Sequence, residues 1–175
     1  MHVLLIRHPA TTIAPGLCYG RLDLALREDA AAAALRARVG AWSGRVWTSP
    51  ARRCRAIAGP AATIDARLQE LDFGAWEGRA WADIPRADLD RWAADPAGFA
   101  PPGGESGAAL LARVEAFHAM LRHRAEDALV VAHGGPLKLL TALLRDAVPD
   151  LLAPAPPLGS VSEMRCRAAT APGIR

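Results

Sequence analysis

The amino-acid sequence predicts an α/β fold: a three-layer α/β/α sandwich with helices on both faces of a largely parallel central sheet. Three observations predict it. Short apolar runs of strand length alternate along the chain with segments whose apolar residues recur at helical spacing. Two of those runs, "VLLI" at residues 3–6 and "LVVA" at residues 129–132, carry no polar residue, as strands covered on both faces must. No internal repeat or linker breaks the alternation, so residues 1–175 are expected to form a single domain.

The elements follow in order. Val3 to Ile6 reads as a buried strand, and Thr12 to Leu26 as a loop broken by Pro15, Gly16 and Gly20. Glu28 to Trp42 reads as a helix with Leu35, Val39 and Trp42 at helical spacing. Arg45 to Thr48 is a second strand. Pro50 opens a helix to about Gly59, with Ser49 as its cap. Thr63 to Leu68 reads as a third strand, and "QELDFGAWEGRAW" as a mixed segment. A helix over Pro85 to Ala94 and an irregular loop over Asp95 to Ser106 lead into the best helical pattern, Glu105 to Arg124. There Leu110, Leu111, Val114, Phe117 and Leu121 share a face. Leu129 to Ala132 is a strand, Pro136 to Ala147 a helix with proline in its first turn, and Ser160 to Arg167 the last strand.

Composition excludes several classes. Hydrophobic residues make up 51% and charged residues 22%, which disfavours wholesale disorder. A formal charge of +3 does not by itself argue for nucleic acid. Cys18, Cys54 and Cys166 are odd in number and lack a C-x-x-C, so reduced thiols in a cytoplasm are expected rather than disulfides or a zinc site. No run has the length of a membrane span or the form of a signal peptide. The expected partner is a small molecule, with no nucleic acid and no membrane; a homodimer is left open.

Function is written at the strand ends. The first apolar run stops at Arg7 and His8, and the fourth stops at His133 followed by Gly134, Gly135 and Pro136. In open α/β sheets ligands sit where strands hand over to loops and helix starts. A lone histidine there is more often a hydrogen-bonded strand terminator; two shift the balance toward a site. Arg7 beside His8 suits an anion, since a guanidinium fork matches phosphate oxygens. The glycines after His133 can turn backbone N–H groups toward the same anion. Competing patterns fail: there is no G-x-G-x-x-G or P-loop, "GGESGA" is not a nucleophile elbow around Ser106, and His118 and His123 are spaced wrongly for a metal pair.

Read together, "LIRHPAT", "CYGRLDLAL", "TSPARRCRAIA", "LQELDFGAWEG", "PPGGES" and "VVAHGG" resemble the motifs of the histidine phosphatase superfamily, with its phosphoglycerate-mutase-like fold. They run in family order over nearly the whole chain. The pairing of "RHP" with "CYGR" looks most like the α-ribazole phosphatase branch, which works in cobalamin assembly. The chain departs from the common pattern at Pro9, Ala25 and Ile57, and Pro9 removes one backbone donor.

The resemblance implies a phosphomonoesterase that needs no metal and no cofactor. It makes His8 the nucleophile, Glu70 the proton donor, and Arg7, Arg53 and His133 the groups that hold the phosphoryl oxygens, with the Gly134 N–H adding one more. Arg21 and Ser106 are carried as substrate contacts, Ser106 with helix capping as its alternative. Arg52 and Arg55 read as a solvated face, and Glu77 as a structural salt bridge. Trp76, Trp81 and Trp92 are either partial core or the wall of a pocket for an aromatic leaving group. Three activities stay open: a phosphatase, of α-ribazole 5′-phosphate or of a broader set of sugar and small-metabolite esters; a phosphoglycerate-type mutase; and a phosphate-binding module without catalysis.

Overall fold

The computed structural model describes residues 1–166 of the chain. Its centre is a five-stranded sheet in the order β3-β2-β4-β1-β5. The strands are β1 (His2–Arg7), β2 (Arg45–Thr48), β3 (Thr63–Ile64), β4 (Ala128–Ala132) and β5 (Val161–Arg165). β1 to β4 are mutually parallel, and β5 closes one edge antiparallel to β1. Apolar spacing predicts α1 (Ala30–Gly40) and α4 (Gly107–Arg124), and α3 (Arg86–Ala94) falls within the helix expected over Pro85 to Ala94. Proline and strand signals placed α2 (Arg52–Ala58) and α5 (Gly134–Leu144).

The alternation of side chains along each strand divides the core in two. Val3 and Leu5 of β1, with Val130 of β4, pack against Val114 and Phe117 of α4 and Leu137 and Leu140 of α5. Leu4 and Ile6, with Leu129 and Val131, face the other way, against Leu35 and Val39 of α1 and Ile57 of α2. Burying Val3 to Ile6 of β1 and all of β4 on both faces explains why those stretches carry no polar residue. A third apolar cluster, built on Cys18, Trp76 and Ile84, supports the loops beside the sheet.

Several boundaries differ from the sequence reading. The strand expected over Thr63 to Leu68 stops at Ile64, because the Asp65 carboxylate accepts the Arg67 N–H at 2.9 Å and turns the chain into a 3-10 turn over Ala66–Leu68. α5 starts at Gly134 rather than Pro136 and ends at Leu144 rather than Ala147; Asp146 has φ 54°, outside the helical range. Leu111 is only partly buried, unlike its predicted partners on α4. Arg167, the expected end of the last strand, lies outside the described residues. Cys18, Cys54 and Cys166 are all free thiols. Among the described residues no helix is long and apolar enough to cross a membrane.

Candidate active site

β1 and β4 are neighbours, and their register pairs Arg7 with Ala132. The next residue on each strand is a histidine, so His8 and His133 leave the sheet at the same height. Adjacent parallel strands lie about 4.8 Å apart, and the two imidazole centroids are 5.1 Å apart, edge to face. Both rings are buried, with 2% and 1% of their surface exposed. Sheet geometry alone therefore brings together two side chains separated by most of the chain.

Arg53 comes to them from the first turn of α2, the helix that follows β2. Its guanidinium is fully buried. Nη1 donates to the Leu22 carbonyl at 2.8 Å and Nη2 to the Gly20 carbonyl at 2.5 Å. The Nε–H is shared between His8 Nε2 and His133 Nδ1, each at 3.3 Å. The tautomers follow. His8 Nδ1 lies 2.7 Å from the Pro9 carbonyl, which can only accept, so Nδ1 carries the proton and Nε2 presents a lone pair. His133 Nδ1 accepts from Arg53, so its proton sits on Nε2 and is donated to Ser49 Oγ at 2.8 Å. Burial and then the opposing carbonyl of Pro9, Arg53 and Arg7 act on His8, whose pKa is lowered to about 3. Burial, and then Arg53, pushes His133 well below the ordinary histidine range. Both rings are neutral at physiological pH.

Arg7 ends β1 and donates through Nη1 to the Pro156 carbonyl, while its buried Nε has no hydrogen-bond partner among the described residues. Gly134 is the residue against which the Arg7 guanidinium rests: a Cβ there would meet Arg7 Cζ at 3.0 Å and Ala155 Cβ at 2.8 Å. Among the described residues neither Arg7 nor Arg53 has a carboxylate within ion-pair distance. Two guanidiniums held beside two neutral imidazoles, without a protein counter-ion, form a place for an anion.

Glu70 faces the same cavity from an irregular segment after β3. Its carboxylate accepts the Leu71 N–H at 2.9 Å and the Gly135 N–H at 3.2 and 3.1 Å. The cavity has a volume of about 440 Å³. Arg7, His8, Arg53 and Glu70 form its polar floor, and Leu17, Tyr19, Phe73, Trp81, Trp92, Leu151 and Leu152 form an apolar wall. A second, polar hollow of about 230 Å³ lies beside it, lined by His133, Arg21 and Asp23 among others, with Glu70 common to both.

The expected residues are thus largely gathered, with exceptions. Ser106 lines neither hollow; its Oγ accepts the Ala109 N–H at 3.2 Å and caps α4, so the capping alternative holds. Arg21 lines the polar hollow and reaches no histidine; its Nε donates to the Glu70 carbonyl at 3.2 Å. Ser49 is not the N-cap of α2, which is Ala51; its Oγ accepts the Ala51 N–H at 3.3 Å and the His133 Nε2–H at 2.8 Å. Glu77 is structural but makes no salt bridge among the described residues: its carboxylate accepts N–H groups from Gly20, Arg21, Leu22 and Phe73, between 2.8 and 3.2 Å. That cage fixes the loop whose carbonyls hold Arg53. Trp76 is core, 1% exposed, whereas Trp81 and Trp92 line the cavity. Sequence reasoning passed over Lys138, which lines the cavity and donates to the Leu151 and Ala153 carbonyls at 2.5 and 3.0 Å. Its one legible signal is that it is the sole lysine in the chain.

Residues 3–171 match the model of the histidine phosphatase superfamily (branch 1). No curated protein matches the chain. Among solved structures, the α-ribazole phosphatase from Shigella flexneri is similar over 100% of both chains, at 26% identity and a TM-score of 0.83. A mycobacterial glucosyl-3-phosphoglycerate phosphatase is similar over 93% of this chain and 88% of its own, at 25% identity and a TM-score of 0.76. A protein from Thermus thermophilus is similar over 93% of this chain and 92% of its own, at 29% identity and a TM-score of 0.72.

Proposed function

This chain belongs to the histidine phosphatase superfamily, branch 1, and from that premise we propose that it is a phosphomonoesterase acting through a phosphohistidine at His8, with α-ribazole 5′-phosphate as its substrate. One observation carries the chemical part: two guanidiniums without carboxylate partners among the described residues flank a buried, neutral histidine whose unprotonated Nε2 meets only a long, shared N–H of Arg53, at 3.3 Å.

In the first step His8 Nε2 bonds to phosphorus and the bond from phosphorus to the ester oxygen breaks. Glu70 delivers its proton to the departing alkoxide. Arg7 and Arg53 meet the charge that builds on the phosphoryl oxygens, with donors already in place before the reaction. In the second step a water attacks phosphorus, the P–N bond breaks, Glu70 takes the proton from that water, and phosphate leaves. The Pro9 carbonyl holds the imidazole in the attacking tautomer through both steps. Two guanidiniums supply the charge neutralisation, so activity is expected to persist with a chelator present.

The substrate assignment rests on the other half of the cavity. Phe73, Trp81 and Trp92 form an aromatic group, with Trp81 and Trp92 near parallel at 10° and 6.1 Å between centroids. Such a wall favours a planar, weakly polar alcohol over a charged sugar acid. The full-length likeness to the Shigella α-ribazole phosphatase agrees with this. The test is a steady-state comparison of α-ribazole 5′-phosphate with glucosyl-3-phosphoglycerate and glycerol phosphate, with added chelator. A kcat/KM at least about tenfold higher for the ribazole ester, equivalent to about 1.4 kcal/mol, supports the assignment. Equal values across the panel give the broad-specificity alternative, phosphoryl exchange without net release gives the mutase, and phosphate binding without turnover gives the module.

A further inference from the structure

Glu70 lies on a segment with no sheet ladder or helix to hold it, yet a proton donor must be fixed to within a fraction of an ångström. Besides Arg21, whose Nε reaches the Glu70 carbonyl at 3.2 Å, the holding groups come from α4 and the loop before it. Arg113 and Glu105 form a bidentate pair, Nε to Oε1 at 2.7 Å and Nη2 to Oε2 at 2.8 Å, with side chains only 15% and 14% exposed. The remaining donors of Arg113 all go to the Glu70 segment. Nη1 donates to the Arg67 carbonyl at 2.7 Å and the Gln69 carbonyl at 2.6 Å, and Nη2 to the carbonyl of Glu70 itself at 3.1 Å. On the far side of Glu70, the backbone N–H of Glu105 donates to the Asp72 carbonyl at 2.9 Å. The segment is thus gripped on both sides of Glu70 by one ion pair. Neither side chain lines the cavity.

We propose that Arg113, oriented by Glu105, is a positioning residue for the proton donor Glu70. The proposal rests on the acid role given to Glu70 above. Only a planar fork can make these contacts at once; a lysine in the same place keeps the charge and loses the geometry. The consequence is specific. A displaced acid slows departure of basic alkoxides and leaves departure of weakly basic phenolates nearly unchanged, because the latter need no proton. Loss of folding or of phosphate binding slows every ester alike.

The experiment measures kcat/KM across a series from 2,4-dinitrophenyl phosphate through phenyl phosphate to an alkyl phosphate. It uses the wild type, Arg113→Lys, Glu105→Gln and, as the reference for a lost acid, Glu70→Gln. Arg113→Lys is expected to cut the alkyl ester roughly 30-fold and the dinitrophenyl ester by no more than about threefold. Glu105→Gln is expected to fall in the same direction by less. An equal loss on every ester, or no loss, overturns the proposal while a steep Glu70→Gln profile keeps the acid assignment. A flat Glu70→Gln profile removes the acid assignment and the proposal with it. Should Arg113→Lys fail to fold, Glu105→Gln decides by the same criterion.

Discussion

Gly135→Ala separates catalysis from stability with a single methyl group. Gly135 sits in the first turn of α5, and a Cβ there would lie 2.2 Å from Glu70 Oε1 and at an ordinary 3.4 Å from Leu110 Cδ2. The carboxylate must retreat by about 1 Å to reach normal contact, which draws it off the residue 135 N–H, now at 3.2 and 3.1 Å. Because the obstructing atom is the end of a flexible side chain, the fold gives way there at little cost. Removing a helix glycine adds back up to about 1 kcal/mol of stability. A displacement of about 1 Å of a reacting group costs on the order of 100-fold in rate, about 2.7 kcal/mol at the transition state. The expected variant turns over an alkyl phosphate roughly 100-fold more slowly and melts at the wild-type temperature or slightly above it. Steady-state kinetics and a thermal melt on one preparation decide it. Unchanged turnover, or a melting temperature that falls together with activity, refutes the reasoning. Gly134→Ala is the contrasting control, because its Cβ would meet Arg7 Cζ and the short, immobile Ala155 side chain, so stability and phosphate affinity fall together.

Three further outcomes are expected. Arg53→Lys cannot hold the Gly20 and Leu22 carbonyls while facing both histidines; urea melts should show a loss of about 2–3 kcal/mol and turnover should drop about 10²–10³-fold. Glu77→Gln places an amide N–H₂ among the backbone donors that now converge on the carboxylate, and calorimetry should show destabilisation of about 2 kcal/mol, a melting shift of about 4–8 °C. Acid should destabilise the protein through its histidines. The pKa of His8 is depressed from 6.5 to about 3, so its contribution is present above pH 6.5 and is lost as pH falls toward 3; at pH 5 the loss from His8 is about 2 kcal/mol, with His133 adding in the same direction, and denaturant melts of His8→Asn should show a shallower pH slope between 6.5 and 4.

What was legible in the chain was whatever one dominant force decides locally. Val3 to Ile6 of β1 and the whole of β4 are buried on both faces, so apolar residues fill them, and the histidines that follow stand out. α4 shows its face because Leu110, Val114, Phe117 and Leu121 share one stripe. The illegible parts are polar groups choosing among partners distant in sequence. Ser49 reads as a cap from its place before Pro50, yet its hydroxyl serves the Ala51 N–H ahead of the helix and the buried imidazole of His133 together. Glu77 reads as half of a salt bridge, yet convergent backbone N–H groups outcompete any arginine. Glu105 and Arg113 carry no motif linking them to Glu70, since what Arg113 grips beyond Glu105 is backbone carbonyl, which every residue has. Nor does spacing separate Trp76, in the core, from Trp81 and Trp92 at the cavity, because loop path rather than periodicity decides which ring turns inward.

The same burial that makes His8 reactive sets the stability of the site against its use. A histidine that keeps an unprotonated nitrogen beside two guanidiniums must be neutral, and desolvation is the leading cause of its lowered pKa. In the free protein Arg53 divides one N–H between two imidazole nitrogens at 3.3 Å, longer than a good hydrogen bond to either. A phosphoryl dianion is a stronger acceptor than an imidazole and brings the missing counter-charge, so its arrival satisfies Arg53 and the unpartnered Arg7 Nε together. An anion in the cavity would meet two guanidiniums that have no carboxylate partner among the described residues. It follows that inorganic phosphate should raise the melting temperature of this protein, and that the effect should shrink in Arg7→Met, where one of the two guanidiniums that the dianion would satisfy is gone.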